Sequence, residues 1–401
     1  EVQGYYYTFA SLVALQTLFE LGFNIAVVNV ASHEWVGLKL TPDRRIEGDS
    51  EALSRLVSLG HLLAKWYAFA SLLFIVLVGT GGALFLAQRS QSGIAWQQPW
   101  GLVVLLSGML LWTLPFNALL EGCNQVATVN QFRLIQAVTA SVSVWTVMIA
   151  GGQLWAAVAA VAARLLCDVY LLAVHYRHFF KPFLAKARSR VISWSHEVWP
   201  LQWRLALQGP FAYLSYFLFT PVMFQYHGSA VAGQMGMTWT VVTALQAASL
   251  AWVQTRVPRF GMLIKERKFG ELDRLFFRVA FLALAVMLTG SLAFWLFVTG
   301  LNSLEVRVAG RLLEPAPTAA FLLAASIHLI ASSQVMYVRA HKREPFVILG
   351  IVESIAIGLA VWWLGRMSGP WGAGVGLLAV RTFISLPVCS YIWSTCRRQW
   401  H

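Results

Sequence analysis

Seven ionisable side chains sit inside stretches that are otherwise apolar: the arginines Arg164, Arg204, Arg278 and Arg381, and the acids Glu20, Asp168 and Glu353. At mid-bilayer such a charge costs ~2.5–3.5 kcal/mol on insertion scales, so each needs a purpose. A guanidinium is a planar fork of donors that matches the oxygens of a phosphate or pyrophosphate two at a time. Four of them predict a cradle for a multiply charged anion, with Arg164 its leading member in the first half of the chain and Arg381 in the second. A carboxylate in the same setting can alternate between a proton or Na⁺ and the membrane interior, the chemistry of ion-coupled exchange. Glu20, Asp168 and Glu353 are the candidates for it.

Each of these side chains also has an ordinary explanation. Arg204 and Arg278 lie about one turn inside the cytoplasmic ends of their spans, within reach of the headgroups for a long side chain. Arg164 and Asp168 are four residues apart on one helix face and can pair with each other. Arg381 and Glu353 stand near the middle of the last two spans and can pair across them. Any of the acids can serve as a hydrogen-bonded contact between helices. His328, beside Ser326 and Ser332, reads as a packing histidine. Glu121, Asn124 and Gln125 follow the third span on its cytoplasmic side; they can meet a sugar headgroup on entry, although a plain polar loop accounts for them as well.

The elements that must hold these groups follow from composition. Apolar residues make up 58% of the 401 and charged ones 12%, well below the ~25% of an average soluble protein. A bilayer core ~30 Å thick takes roughly 20 apolar residues per helix. Eleven such runs can be counted, at 5–30, 66–86, 100–120, 134–150, 154–174, 201–223, 230–252, 275–298, 319–338, 346–364 and 371–393. They are continuous rather than alternating, which selects helices over a barrel. Trp35, Trp66, Trp96, Trp100, Trp199 and Trp371 fall near their ends, at the expected headgroup level.

If the first span runs from outside to inside, 22 of the 30 Lys and Arg residues lie on cytoplasmic segments and four on outer ones. That positive-inside bias accounts for the net charge of +13 without a nucleic-acid partner, since no soluble basic domain is present. Cys123, Cys167, Cys389 and Cys396 form no CxxC pair, which gives no disulfide framework or zinc motif. Two cytoplasmic stretches carry apolar stripes: 49–65, with Leu53, Leu56, Leu59 and Leu63, and 271–279, with Leu272, Leu275, Phe276 and Val279. They read as helices lying on the membrane surface or as short solvated links between spans. Asp49 or Ser50 can cap the first.

The chain repeats itself. Tyr7-Thr8-Phe9 followed by Ala14-Leu15-Gln16 recurs 230 residues later as Met237-Thr238-Trp239 followed by Ala244-Leu245-Gln246. Each is followed by the rest of a span, a basic loop, a Glu-led amphipathic stretch (Glu51, Glu271) and another span. Two halves in one orientation make a parallel repeat, a device of transporters. The expected division is an N-terminal lobe at 1–175, a basic cytoplasmic linker at 176–200 and a C-terminal lobe at 201–401.

Gln3-Gly4-Tyr5-Tyr6-Tyr7, Leu12-Val13-Ala14-Leu15 and Phe19-Glu20-Leu21-Gly22 resemble the second span of the polysaccharide flippases, a branch of the multidrug/oligosaccharidyl-lipid/polysaccharide (MOP) exporter superfamily. Ala232-Gly233-Gln234-Met235-Gly236, running on to Pro258, resembles the eighth span and the loop after it. The resemblance implies an all-α polytopic membrane protein with two six-helix lobes around a central cavity, eleven of its twelve spans being visible and the first preceding Glu1. It implies a flippase, not an enzyme. The cargo would be a lipid-linked, undecaprenyl-pyrophosphate-type oligosaccharide, moved from the cytoplasmic to the outer leaflet of a bacterial inner membrane by alternating access. The implied setting is O-antigen, lipopolysaccharide or other polysaccharide biosynthesis. The implied partners are that substrate, membrane lipids and polysaccharide assembly machinery, with no cofactor beyond a coupling proton or Na⁺.

Two rivals stand beside this reading. An ion-coupled multidrug exporter of the same superfamily favours acids over arginines, because its substrates are often cations. A membrane-embedded glycan polymerase or glycosyltransferase needs catalytic acids or a large outer loop. The longest outer loop here, 299–318, carries Glu305, Arg307, Arg311 and Glu314 but no paired-carboxylate motif.

Overall fold

The computed structural model describes residues 1–20, 23–88, 93–185, 192–193, 208–306, 308–341 and 343–400. Helices dominate it. The described residues add one short hairpin, Leu38–Leu40 paired antiparallel with Ile46–Gly48, within what the sequence presented as a plain basic loop. Among the described residues, seven helical segments are long and apolar enough to cross a bilayer: Ser50–Ala87, Gln97–Gly122, Val126–Ile149, Trp155–His175, Phe269–Ser303, Pro315–Ala340 and Val347–Trp400. The last is not one straight rod. Its backbone leaves helical geometry at Ser368 and at Gly369, where φ is +60°, and Pro370 follows. Only glycine takes that conformation without strain, and proline cannot donate back into the preceding turn. The chain is an all-α, multi-pass membrane protein.

Two compact units make up the molecule. One comprises Leu12–Tyr213; the other joins Glu1–Ser11 to Leu214–His401.

In the Leu12–Tyr213 unit the helices depart from the expected spans in two ways. The apolar run at 5–30 is not one helix: Val2–Val13 ends and a new helix begins at Gln16, and Phe23–Trp35 is helical as well. No proline marks the first break. The amphipathic stretch at 49–65 is not a separate surface helix either. Asp49 caps it, accepting from the backbone N–H of Glu51 at 3.1 Å and of Ala52 at 3.3 Å, and the helix then runs unbroken from Ser50 to Ala87. Leu56, Leu59 and Leu63 are fully buried against protein, not lipid. Trp96 and Trp100 are likewise buried. The Trp100 indole donates to the Gly79 carbonyl at 3.0 Å and lies so close to Gly82 that a Cβ there would meet it at 2.2 Å. Past the last helix, Phe179, Phe180 and Phe183 cluster with Tyr176, Trp35 and Phe116, so the start of the expected linker is docked by its aromatic rings.

The other unit is built on long helices that cross at small residues. Its amphipathic stretch at 271–279 is again the first part of a longer helix, Phe269–Ser303, with Leu272, Phe276 and Val279 buried. The residues that carry the family resemblance form a helix crossing. Gly4 lies against Ser229, where a Cβ would come within 1.8 Å of the carbonyl oxygen, and Gly236 lies against the Tyr7 ring. Gln3 donates to the Gly233 carbonyl at 2.8 Å, and Tyr5 packs edge-on against Phe224. Small residues let helix backbones approach in lipid, where apolar burial gives little drive for association. Asp273 accepts from Tyr337 at 2.8 Å and pairs with Arg397, joining three helices.

Candidate functional site

The polar recess of the Leu12–Tyr213 unit starts with a proline. Pro115 lies inside the Gln97–Gly122 helix and has no N–H to offer the Leu111 carbonyl. Thr113 and Asn117, two residues to either side of it, present polar side chains. Thr113 donates to Asp168 Oδ2 at 2.8 Å and Asn117 to Oδ1 at 3.1 Å; Gln136, from the Val126–Ile149 helix, donates to the same Oδ1. Asp168 is 3% exposed. Immediately beyond it, Tyr170–His175 forms a π-helical turn, with the Tyr176 N–H donating to the Leu171 carbonyl at 2.9 Å. Such turns in a helix often mark functional positions.

Asn117, Gln136 and Asp168 border an open-sided recess of about 230 Å³, a little below the ~300–1,000 Å³ of small-molecule sites. Gln16, Ser107, Asn117, Gln136, Asp168, Arg133 and Arg164 supply its polar lining, and Leu110, Leu111, Leu114, Phe132 and Val161 much of the apolar remainder. Val13 and Gln16, the two sides of the first helix break, reach the same recess. There the backbone runs on tight turns: Leu15 donates to Leu12, and Thr17 to Ala14, each at 3.1 Å. Irregular backbone at membrane depth is tolerated where it is enclosed by protein or lines a cavity.

Arg164 is exposed on the wall of this recess. Among the described residues it makes neither a hydrogen bond nor an ion pair. The i+4 pairing with Asp168 open to it in the sequence is not formed; Thr113, Asn117 and Gln136 satisfy the carboxylate instead. One guanidinium is therefore left facing the recess with its donors unused.

The other sequence candidates have different surroundings. Arg381 is 4% exposed, and its Nη1 lies 2.5 Å from Glu353 Oε1, so the pairing alternative is the arrangement present. Arg381 begins a second π-helical turn, Arg381–Ser385. Close by, Tyr216 and Ser332 both reach His328 Nε2, at 3.0 and 3.3 Å. Ser326, expected beside that histidine, donates to the Leu322 carbonyl. Arg278 is exposed on a helix face shared with the exposed Phe281 and Leu282, the setting of a snorkelling side chain. Glu20 ends the Gln16–Glu20 piece near Tyr67 and forms no ion pair among the described residues. Arg204 lies outside the described residues. Of the polar cluster after the third span, Glu121 pairs with Arg133 and Gln125 accepts from Tyr176 at 2.9 Å.

Reading the sequence missed Arg133, Gln16, Thr113, Asn117 and Gln136. Arg133 was counted with the cytoplasmic loops. The other four are uncharged and stand singly in apolar runs. A polar amide at mid-span was the available signal, since it too needs a partner there.

No protein-family model and no curated protein matches the sequence. Solved structures do. The lipid II flippase MurJ in its inward closed conformation superimposes with a TM-score of 0.66 at 10% identity, covering 97% of this chain and 81% of that one. A multidrug resistance MATE family transporter of the MOP superfamily, inward-facing, gives 0.62 at 13% identity over 100% of this chain and 94% of that one. A MATE structure in its straight conformation gives 0.55 at 13% identity, covering 97% and 86%. At such identities the likeness is one of architecture, and the chain has the fold that these transporter structures share.

Proposed function

We propose that this protein is a flippase that carries a lipid-linked, undecaprenyl-pyrophosphate-type oligosaccharide from the cytoplasmic to the outer leaflet by alternating access. The observation that carries the reading is the unpaired Arg164 guanidinium on a polar recess, in a chain folded like a lipid II flippase. An apolar wall weakens solvent screening, so a cation beside it attracts a phosphate more strongly than it would in open water. No bond is made or broken in this scheme. The recess offers side chains that hold and release an anion, and the membrane setting leaves a lipid tail in the bilayer while the headgroup crosses. Arg164 is the leading substrate contact. Arg204 is a secondary one on the cytoplasmic side. Arg381 joins them only in a state where Glu353 has let it go. Coupling to a proton or Na⁺ falls to Glu20 or Asp168, because Glu353 already holds a cation. The setting is bacterial inner-membrane polysaccharide assembly.

A multidrug exporter of the same superfamily is the second reading. The Asp168 carboxylate on the same recess favours it, as does the likeness to MATE transporters. Mass spectrometry of lipids that co-purify with the protein separates the two, read together with uptake of a fluorescent cationic drug by proteoliposomes. A lipid-pyrophosphate sugar retained by wild type and lost in Arg164→Ala is the expected result. Drug transport that survives Arg164→Ala and stops in Asp168→Asn would overturn the flippase reading.

A further inference from the structure

The recess holds a second arginine that the scheme above does not use. Arg133, on the Val126–Ile149 helix, lines it together with Arg164. Unlike Arg164 it is occupied. Its guanidinium pairs with Glu121 and donates to Asn130 Oδ1 at 3.1 Å. Glu121 stands in the last turn of the Gln97–Gly122 helix, where the carbonyl end of the helix dipole disfavours a carboxylate. Its side chain is 16% exposed, against 50% for Arg133. The acid is thus the more enclosed partner and sits where a second negative charge is poorly tolerated. Half of the Arg133 side chain is exposed, and part of it lines the recess.

We propose that Arg133 and Arg164 are the two arms of one anion site and that Glu121 is its built-in competitor. A phosphate or pyrophosphate is taken first by the free Arg164 and then draws Arg133 away from Glu121. When the anion leaves, Glu121 recaptures Arg133 and resets the site. The competitor holds affinity down, so that cargo can depart as well as enter. This inference rests on the anion-carrying reading above and names a regulator of the same site.

The test is isothermal titration of inorganic pyrophosphate into the purified full chain in detergent at fixed low salt, after size exclusion has confirmed a monodisperse protein. Glu121→Gln should tighten binding about two- to fivefold, the value of releasing one half-exposed ion pair. Arg133→Gln should weaken binding, and Glu121→Gln combined with Arg133→Gln should match Arg133→Gln alone, because the competitor acts only through that arginine. Farnesyl pyrophosphate, run in the same series, should bind more tightly than the inorganic ion; equal affinity overturns the lipid-linked cargo. A wild type that binds pyrophosphate while Glu121→Gln binds no better overturns the competitor and leaves the anion reading in place. Unchanged affinity in Arg133→Gln overturns the second arm, even if Glu121→Gln does not fold. A wild type that binds neither compound overturns both readings.

Discussion

Replacing Arg381 with Met removes one half of a buried ion pair and leaves the other in place. Arg381 is 4% exposed and Glu353 14%, with 2.5 Å between Nη1 and Oε1. Breaking such a pair from one side typically costs ~3–5 kcal/mol. A second route leads to a similar figure. A lone Glu353 escapes the cost of an unpaired charge by taking a proton, and for a carboxylic acid of reference pKa about 4.3 that costs about 3.7 kcal/mol at pH 7 and about 1 kcal/mol at pH 5. Arg381→Met should therefore be less stable by ~3–4 kcal/mol at pH 7 and should recover most of the loss by pH 5. The penalty falls with pH because the proton is supplied more cheaply. Arg381→Met combined with Glu353→Leu leaves apolar groups on both sides and should return to within ~1 kcal/mol of wild type at either pH. The measurement is the monodisperse fraction surviving a heat series in detergent, at both pH values, for both singles and the double. A single Arg381→Met as stable as wild type at pH 7, or a double no better than the single, would mean that the pair does not join these helices. Arg381 would then be free to serve as a substrate contact.

Arg164→Ala should leave thermal stability within ~0.5 kcal/mol of wild type, since no partner is stranded, while lipid-linked cargo is lost; Arg164→Lys should recover part of the cargo in the same co-purification assay. Asp168→Ala should behave oppositely, lowering protein abundance because Asn117 and Gln136 lose their acceptor while Thr113 keeps the Leu110 carbonyl, a cost of about 1–3 kcal/mol per buried donor left unmatched. Combining it with Arg164→Ala should give additive stability changes, whereas a paired Arg164 and Asp168 would couple by ~0.5–3 kcal/mol. Adjacent glycines give a sharper contrast. Gly82→Ala drives a methyl into the buried Trp100 ring and should destabilise, while Gly81→Ala, with nothing within 4 Å, should gain up to ~1 kcal/mol of helix propensity in the same heat series.

The sequence by itself determined the solvent and therefore the class of fold. Long apolar runs can be placed only in lipid, and lipid forces their backbones into helices; the cap at Asp49 is local chemistry, legible because a short acceptor stands just before a helical stripe. The candidate arginines were legible because a charge in an apolar run is conspicuous. Their partners were not, because partnership is decided by distances between residues far apart in the chain. Arg164 and Asp168 looked paired at four residues' spacing, yet Asp168 found three donors on two other helices and left Arg164 free. Arg381 looked like the best contact of its half and is neutralised by Glu353 from the neighbouring helix. Leu56, Leu59 and Leu63 formed a stripe that fits a membrane surface or a protein core equally well, since the pattern records that one face avoids water and not what covers it. Arg133 looked like a loop cation until its helix began at Val126 and carried it to the wall of the recess. Only tertiary structure assigns such neighbours, because packing in three dimensions, rather than spacing in one, sets which charges meet and which remain available to a ligand.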